Sequence, residues 1–317
     1  MFPYGMLAHP PTLTLAAPAK INLALSVGPP VAHGAKAGFH PIASWLVATT
    51  LHDDVVLTRL PNGAASRVII EWAADAPKAS PIDWPVERDL GFRAHRLLEA
   101  HIGHALPVEV VVRKRIPVGG GLGGGSSDGA SVLIGLNRLF NLPLTSGELR
   151  LLSTRLGSDV AFFIDDDQHR RTPRPAMVTG FGELIERLSP VPPTPGVLLI
   201  PPVACPTGAV YRAFDAGAPG ALREADVRAI IGGARGAGAI RPAVLFNDLA
   251  SPACEAEPRL RVFWETLGRV GPRVHVTGSG STMFALLPGA LEGEVRATCA
   301  AFVGAAPEVL ALPVELR

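Results

Sequence analysis

Charge of one sign is missing from this 317-residue chain: Lys and Arg number 29, Asp and Glu 28, for a formal net charge of +1. No general field therefore draws it onto nucleic acid or an anionic membrane. Cysteine is scarce as well. Cys205, Cys254 and Cys299 are odd in number, far apart, and form no Cys-x-x-Cys pair. That argues against a disulfide framework or a zinc site and fits a reducing compartment. No run approaches the roughly 18 consecutive apolar residues of a membrane-spanning helix. The apolar stretch Val197–Val203 is short and broken by Pro201 and Pro202. Met1–Pro18 shows no basic patch followed by an apolar stretch, so no signal peptide is expected. These absences together predict a soluble, cytoplasmic protein.

What is present is globular: 48% hydrophobic and 18% charged residues, in a chain long enough for more than one domain. Strands are expected at Leu13–Ala17 and Ile21–Val27, flanking Pro18-Ala19-Lys20, and at Val55–Leu60, Arg67–Trp72 and Val108–Arg113. A new element should start near Phe39. Leu90–Ile102 has helical spacing, as does Ser126–Phe140. Thr145 and Glu148 form a capping-box signature for a helix running to Gly157. The charged stretch Asp165–Pro175 is the candidate linker, dividing the chain into residues 1–170 and 171–317. Beyond it come a strand at Val197–Ile200, a Gly-rich tract at Gly232–Gly238 and a helix near Pro258–Leu267. A strand pair, Val274–Val276 and Met283–Leu287, is joined by Thr277–Thr282, and a last helix spans Glu292–Val303. Without strict βαβ alternation, the fold class is α+β.

The chemistry concentrates in Pro117, Val118, Gly119, Gly120, Gly121, Leu122, Gly123, Gly124, Gly125, Ser126, Ser127 and Asp128. Six glycines in the seven positions Gly119–Gly125 cost backbone entropy on ordering. Their use is close approach to a bulky anion, with N–H groups turned inward and a helix N-terminus behind. Arg113, Lys114 and Arg115 end the preceding strand and should bring positive charge nearby. No lysine follows the last glycine, so this is not a Walker A loop, and the acidic residue of a dinucleotide site is missing. Protein-kinase signatures are absent too.

This loop resembles the second motif of the GHMP small-molecule kinases. Other segments narrow the likeness to the 4-diphosphocytidyl-2-C-methyl-D-erythritol kinase family of the non-mevalonate isoprenoid route. They are Pro18–Leu23, Gly38-Phe39-His40, Leu156–Phe163, Phe246–Leu249 and Thr277–Ser281. The resemblance implies a ribosomal-S5-domain-2-like ATP-binding half, residues 1–170, and a ferredoxin-like substrate-side half, residues 171–317. It implies ATP and Mg²⁺ as cofactors and phosphorylation of the substrate's tertiary 2-hydroxyl. Asp159 would orient and deprotonate that hydroxyl, and Lys20 would hold it and Asp159 in place. Phe39 and Tyr211 would sandwich the cytosine and His40 would read its edge. Asn22, Thr207 and Asn247 would line the substrate site. Lys114, Pro117–Ser127 and Asp89 would contact the nucleotide. Departures from the family pattern are Phe39 for tyrosine, Ala37 for aspartate, and Asp89 for an asparagine whose amide can donate as a carboxylate cannot.

Each residue also has a plainer reading. Asp159 after Gly-Ser can be an N-cap, Lys20 a solvated charge, and Phe39 and Tyr211 core or rim aromatics. His101 and His104 at helical spacing, and Asp165-Asp166-Asp167, read as surface rather than as metal sites. The alternatives are another GHMP kinase acting on homoserine, mevalonate or a sugar, and a non-catalytic nucleotide-binding paralogue. The partner expected is a small molecule; a homodimer is left open.

Overall fold

The computed structural model describes residues 11–317. Residues 1–10 of the N-terminal stretch read above as free of a signal peptide lie outside the described residues. No described helix is long and apolar enough to cross a membrane.

The chain begins with two long antiparallel strands, β1 (Thr12–Val27) and β2 (Ile42–Arg59), followed by β3 (Arg67–Trp72). The two strands expected around Pro18 are one. The register shifts between Pro18 and Lys20, and again between Asn22 and Ala24, so the strand absorbs a residue without an N–H donor. Next come α1 (Leu90–Ile102), β4 (Val108–Lys114), α2 (Gly124–Leu139) and α3 (Ser146–Ser153). The Thr145–Glu148 capping box forms at the start of α3. The helix stops at Ser153, before Gly157, because the Ser153 and Thr154 hydroxyls bond back to Arg150 and Leu151 carbonyls at 2.7 and 2.8 Å.

The stretch Asp165–Pro175 is mostly exposed from Asp166 to Arg171 but anchored at its ends. Asp165 is 3% exposed and accepts from the Arg174 backbone at 2.7 Å and from its guanidinium at 2.9 Å. Burial alone would raise its pKa; the Arg174 hydrogen bonds and the Arg187 charge instead hold it at about 2. The loop is thus cross-braced and leads into the hairpin β5 (Ala176–Thr179) and β6 (Leu184–Arg187), whose β5 pairs with β2.

The remaining elements are β7 (Thr194–Ile200), α4 (Thr207–Ala216), α5 (Glu224–Ala237), β8 (Phe246–Asn247), α6 (Ala250–Ala256), α7 (Pro258–Gly268), β9 (Val274–Val276), β10 (Met283–Leu286), α8 (Glu292–Ala305) and β11 (Leu310–Leu316). The Gly-rich tract Gly232–Gly238 mostly falls inside α5. Val227, Ile231 and Ala234 recur at helical spacing and are buried, which outweighs the poor propensity of glycine. Gly238, at φ 65°, ends that helix.

The sheet runs β3-β4-β2-β11-β7-β10-β9, with β1 and β5 also paired to β2. The α+β class holds. β7 and β10 lie between two apolar layers. Val197, Leu199, Met283 and Ala285 face one cluster, with Phe214, Leu260 and Phe302. Leu198, Ile200, Phe284 and Leu286 face the other, with Trp45 and Leu316. A strand buried on both faces reads as the continuous apolar run seen at Val197–Ile200.

Candidate active site

The glycine loop is packed, not free. Gly121 and Gly123 have φ of 75° and 73°, where a side chain is strained. A Cβ on Gly121 would stand 2.9 Å from the Gly280 carbonyl, and one on Gly123 3.0 Å from Lys20 Cγ and 3.1 Å from Phe163 Cζ. The turn of the β9–β10 hairpin, Thr277–Thr282, thus sits directly against the loop, and the Thr282 N–H donates to the Gly120 carbonyl at 3.4 Å. Behind it, α2 starts with Gly123 at its N-cap and no side-chain cap. Its first N–H groups are free to meet an anion. Ser127 Oγ and Thr282 Oγ1 are buried in the same region without a hydrogen-bond partner among the described residues.

The expected cluster of cations at Arg113, Lys114 and Arg115 is neutralised within the fold. Arg113 pairs with Glu71 at 3.0 Å, and Arg115 with Asp54 and Asp75, each at 2.8 Å. Lys114 is buried between Asp53 and Asp128, the latter at 2.6 Å. Burial opposes its charge, but the attraction of Asp128 and Asp53 wins and raises its pKa above the ordinary lysine range. Asp128 is pushed up to about 8, first by burial and then by Asp53, against the pull of Lys114. Asp53 also accepts from the Arg115 and Ile116 N–H groups, tying the end of β4 to β2.

Lys20 lies on the other side of the loop. The irregularity in β1 takes its N–H out of the ladder and lets it donate to the Leu122 carbonyl at 2.9 Å. Its ammonium, 4% exposed, donates to Asn22 Oδ1 at 2.9 Å and lies 3.5 Å from Asp159 Oδ2. Asp159 begins the short turn Val160–Phe163 but makes no cap hydrogen bond, and its side chain is 40% exposed. The plain N-cap reading therefore does not account for it. Asn22 donates to Ser44 Oγ and its N–H meets Thr277 Oγ1, both at 2.8 Å, so its amide is locked.

Lys20, Asn22 and Asp159 line a cleft of about 1250 Å³ that also holds Phe39, His40, Thr207 and Tyr211. His40 donates from Nδ1 to the Gly28 carbonyl at 3.0 Å, which leaves Nε2 toward Asp215 Oδ1 at 3.5 Å. Tyr211 sits 4.9 Å from the His40 ring. Burial first, and then the Asp159 charge, push its phenol up to about 12, so it stays a donor. Thr207 Oγ1 is 3.1 Å from Ser279 Oγ.

Phe39 is 57% exposed and lines the same cleft as Tyr211. Its ring meets Phe181 edge-on at 6.3 Å, and Lys36 Nζ lies 5.3 Å from both rings. Phe181 escaped the sequence reading; an aromatic between Gly180 and Gly182 at a hairpin tip was the available signal. Lys36 and Asp215 escaped it too. Asn247 is absent from the cleft wall. Its amide donates to the Val276 and Gly278 carbonyls at 2.9 and 2.8 Å and so fixes the hairpin turn.

A second groove, of about 410 Å³, runs along Pro117–Ser126 and includes Asp89, Lys114 and Asp128. Asp89 caps α1, accepting from the Gly91 N–H at 2.8 Å. Gly121 and Gly123 line both the groove and the large cleft, so the glycine loop is their common wall.

Residues 89–166 match the family described as the GHMP kinases N terminal domain. The 4-diphosphocytidyl-2-C-methyl-D-erythritol kinase of Symbiobacterium thermophilum is 39% identical over 198 residues, which is 62% of this chain and 62% of that relative's length. The enzyme of the same name from Caulobacter sp. (strain K31) is 34% identical over 291 residues, 88% of this chain and 90% of that one. A crystal structure of a 4-(cytidine 5'-diphospho)-2C-methyl-D-erythritol kinase superposes with a TM-score of 0.73 at 30% identity, covering 96% of this chain and 99% of that one.

Proposed function

The chain belongs to the 4-diphosphocytidyl-2-C-methyl-D-erythritol kinase family, and from that premise we propose that it moves the ATP γ-phosphoryl group onto the 2-hydroxyl of 4-diphosphocytidyl-2-C-methyl-D-erythritol. The observation that carries the reading is the Lys20–Asp159 pair at 3.5 Å, in a cleft that shares the glycine loop with the narrower groove. A donor in the groove and an acceptor in the cleft would meet at that wall.

The substrate hydroxyl oxygen attacks the γ-phosphorus, the bond to the β,γ-bridging oxygen breaks, and ADP leaves. The hydroxyl proton passes to Asp159, whose half-open carboxylate has only Lys20 as an ion-pair partner among the described residues. Lys20 orients that carboxylate and sets positive charge beside the transferring group. The loop N–H groups and the uncapped start of α2 hold the phosphates, since Lys114 is already neutralised. Mg²⁺ bound with ATP supplies further charge neutralisation. Ser127 Oγ, a buried oxygen without a hydrogen-bond partner among the described residues, is a hard donor that fits such an ion.

In the cleft, Phe39, Phe181 and Tyr211 supply aromatic faces for the cytosine and His40 a polar edge, while Thr207 and Asn22 complete the wall. On this reading residues 1–170 form the ATP-binding domain and residues 171–317 the substrate-side domain. The three free thiols suit a reducing cytoplasm.

Incubation with ATP, Mg²⁺ and the methylerythritol substrate, followed by phosphorus NMR, tests the proposal. A new phosphomonoester signal is expected, absent with Asp159→Asn. Nucleotide binding without that signal would overturn the substrate assignment and favour a sister kinase or a silent paralogue.

A further inference from the structure

The narrower groove has two residues that the chemistry above leaves unused, Trp84 and Arg88. Both precede α1. Trp84 closes the loop that follows β3, and Arg88 ends a single 3-10 turn, Val86–Arg88, entered through Pro85. The fixed φ of Pro85 stiffens the backbone between them.

None of the other three tryptophans borders the groove: Trp45 is 1% exposed in the core, where its indole N–H also has no partner among the described residues, and the indole N–H groups of Trp72 and Trp264 donate to the Ser80 and Val274 carbonyls. Trp84 is half-buried, its N–H has no partner among the described residues, and its ring borders the groove. Of the groove's two cations, Lys114 is held by Asp53 and Asp128. Arg88 is exposed, and its guanidinium makes no hydrogen bond or ion pair among the described residues. A groove of about 410 Å³ with a glycine-rich wall, one open indole face and one unpaired guanidinium has the size and chemistry for a nucleoside end and its adjoining charge.

We infer that Trp84 and Arg88 are specificity contacts for the donor nucleotide: the indole lies against the purine face, and the guanidinium neutralises nucleotide charge that Lys114 is not free to meet. This rests on the reading of the groove as the ATP site. The physical basis is that any base offers a π-face to an aromatic ring, and that a planar guanidinium suits phosphate and ring faces alike.

The test is steady-state kinetics with MgATP and the methylerythritol substrate varied separately, together with tryptophan emission during MgATP titration without acceptor. Trp84→Ala should raise KM for ATP on the order of tenfold, the usual worth of one stacked base. KM for the acceptor should move less than about twofold, because the acceptor cleft is built elsewhere. Trp84→Phe should restore KM for ATP to within about threefold while abolishing the emission change, a pairing that a merely structural tryptophan would not give. Arg88→Ala should raise KM for ATP about fivefold, with partial recovery in Arg88→Lys. If the wild-type enzyme binds and turns over ATP but Trp84→Ala and Arg88→Ala leave KM for ATP unchanged, the inference falls and the proposed function stands. Wild-type protein that does not bind MgATP at all would remove both.

Discussion

The two sides of the glycine loop are built from different material. The groove side, along Pro117–Ser126, is mostly backbone: six glycines and an uncapped helix start. The cleft side is mostly side chains, drawn from β1, the Phe39–His40 segment, the Asp159 turn, the β5–β6 hairpin tip and α4. The difference follows from what each would bind. A polyphosphate is recognised by N–H groups, which every residue but proline carries, so selection acts on the absence of a Cβ. A nucleotide-linked polyol needs rings, an ammonium and a carboxylate at set positions, and these can come from anywhere in the chain.

The sharpest way to break that division is to disable one side while the other works. Asp159→Asn should lower kcat by on the order of 10²–10⁴, the usual worth of a general base. Lys20→Ala should do comparable harm. In both variants calorimetry should still find MgATP binding, and its loss would mean that the two sides are not separable. The reverse case is Gly119→Ala, at a glycine that borders the groove and not the cleft. An alanine at φ 79° there carries strain of about 1–3 kcal/mol without pressing on Lys20. KM for ATP should rise about tenfold or more, in line with that strain.

A finer division lies within the cleft. Phe181→Ala should raise KM for the cytidine-bearing acceptor on the order of tenfold by removing an aromatic face, with KM for ATP nearly unchanged. An equal rise in both would place Phe181 in the loop's support.

The smallest effect concerns the buried Lys114–Asp53–Asp128 group. The Asp128 carboxyl is raised from 3.8 to about 8 in the folded chain, so its protonated form favours folding. That contribution is complete below pH 3.8 and is lost as pH rises through about 8. Urea unfolding at pH 5, 7 and 9 should show declining stability, and Asp128→Asn should flatten the decline. An unchanged slope in the variant would assign the trend to other groups.

Much of the fold was legible because its signals are local. The spacing in Leu90–Ile102, the Thr145–Glu148 box and the apolar run at Val197–Ile200 depend only on neighbours in sequence. What neighbours in sequence could not show is what a distant partner decided. Gly232 and Gly233 became helical because Val227 and Ile231 had a core to enter. Asp165–Pro175 became a braced loop because Arg174 and Arg187 converge on Asp165. The charge of Arg113, Lys114 and Arg115 was plain in the chain, but its neutralisation by Glu71, Asp53, Asp54, Asp75 and Asp128 was not.

By itself, then, the sequence determined that a glycine loop opens a helix, because excess glycine followed by serines and an apolar helical stripe is written in consecutive residues. It also supplied Lys20 and Asp159. Only the tertiary structure decided that these two stand 3.5 Å apart, that Phe181 joins Phe39, and that Asn247 holds the hairpin turn behind the cleft. The reason is geometric. A strand and a turn separated by more than a hundred residues meet only through the packing of everything between them, and that packing is a property of the whole core.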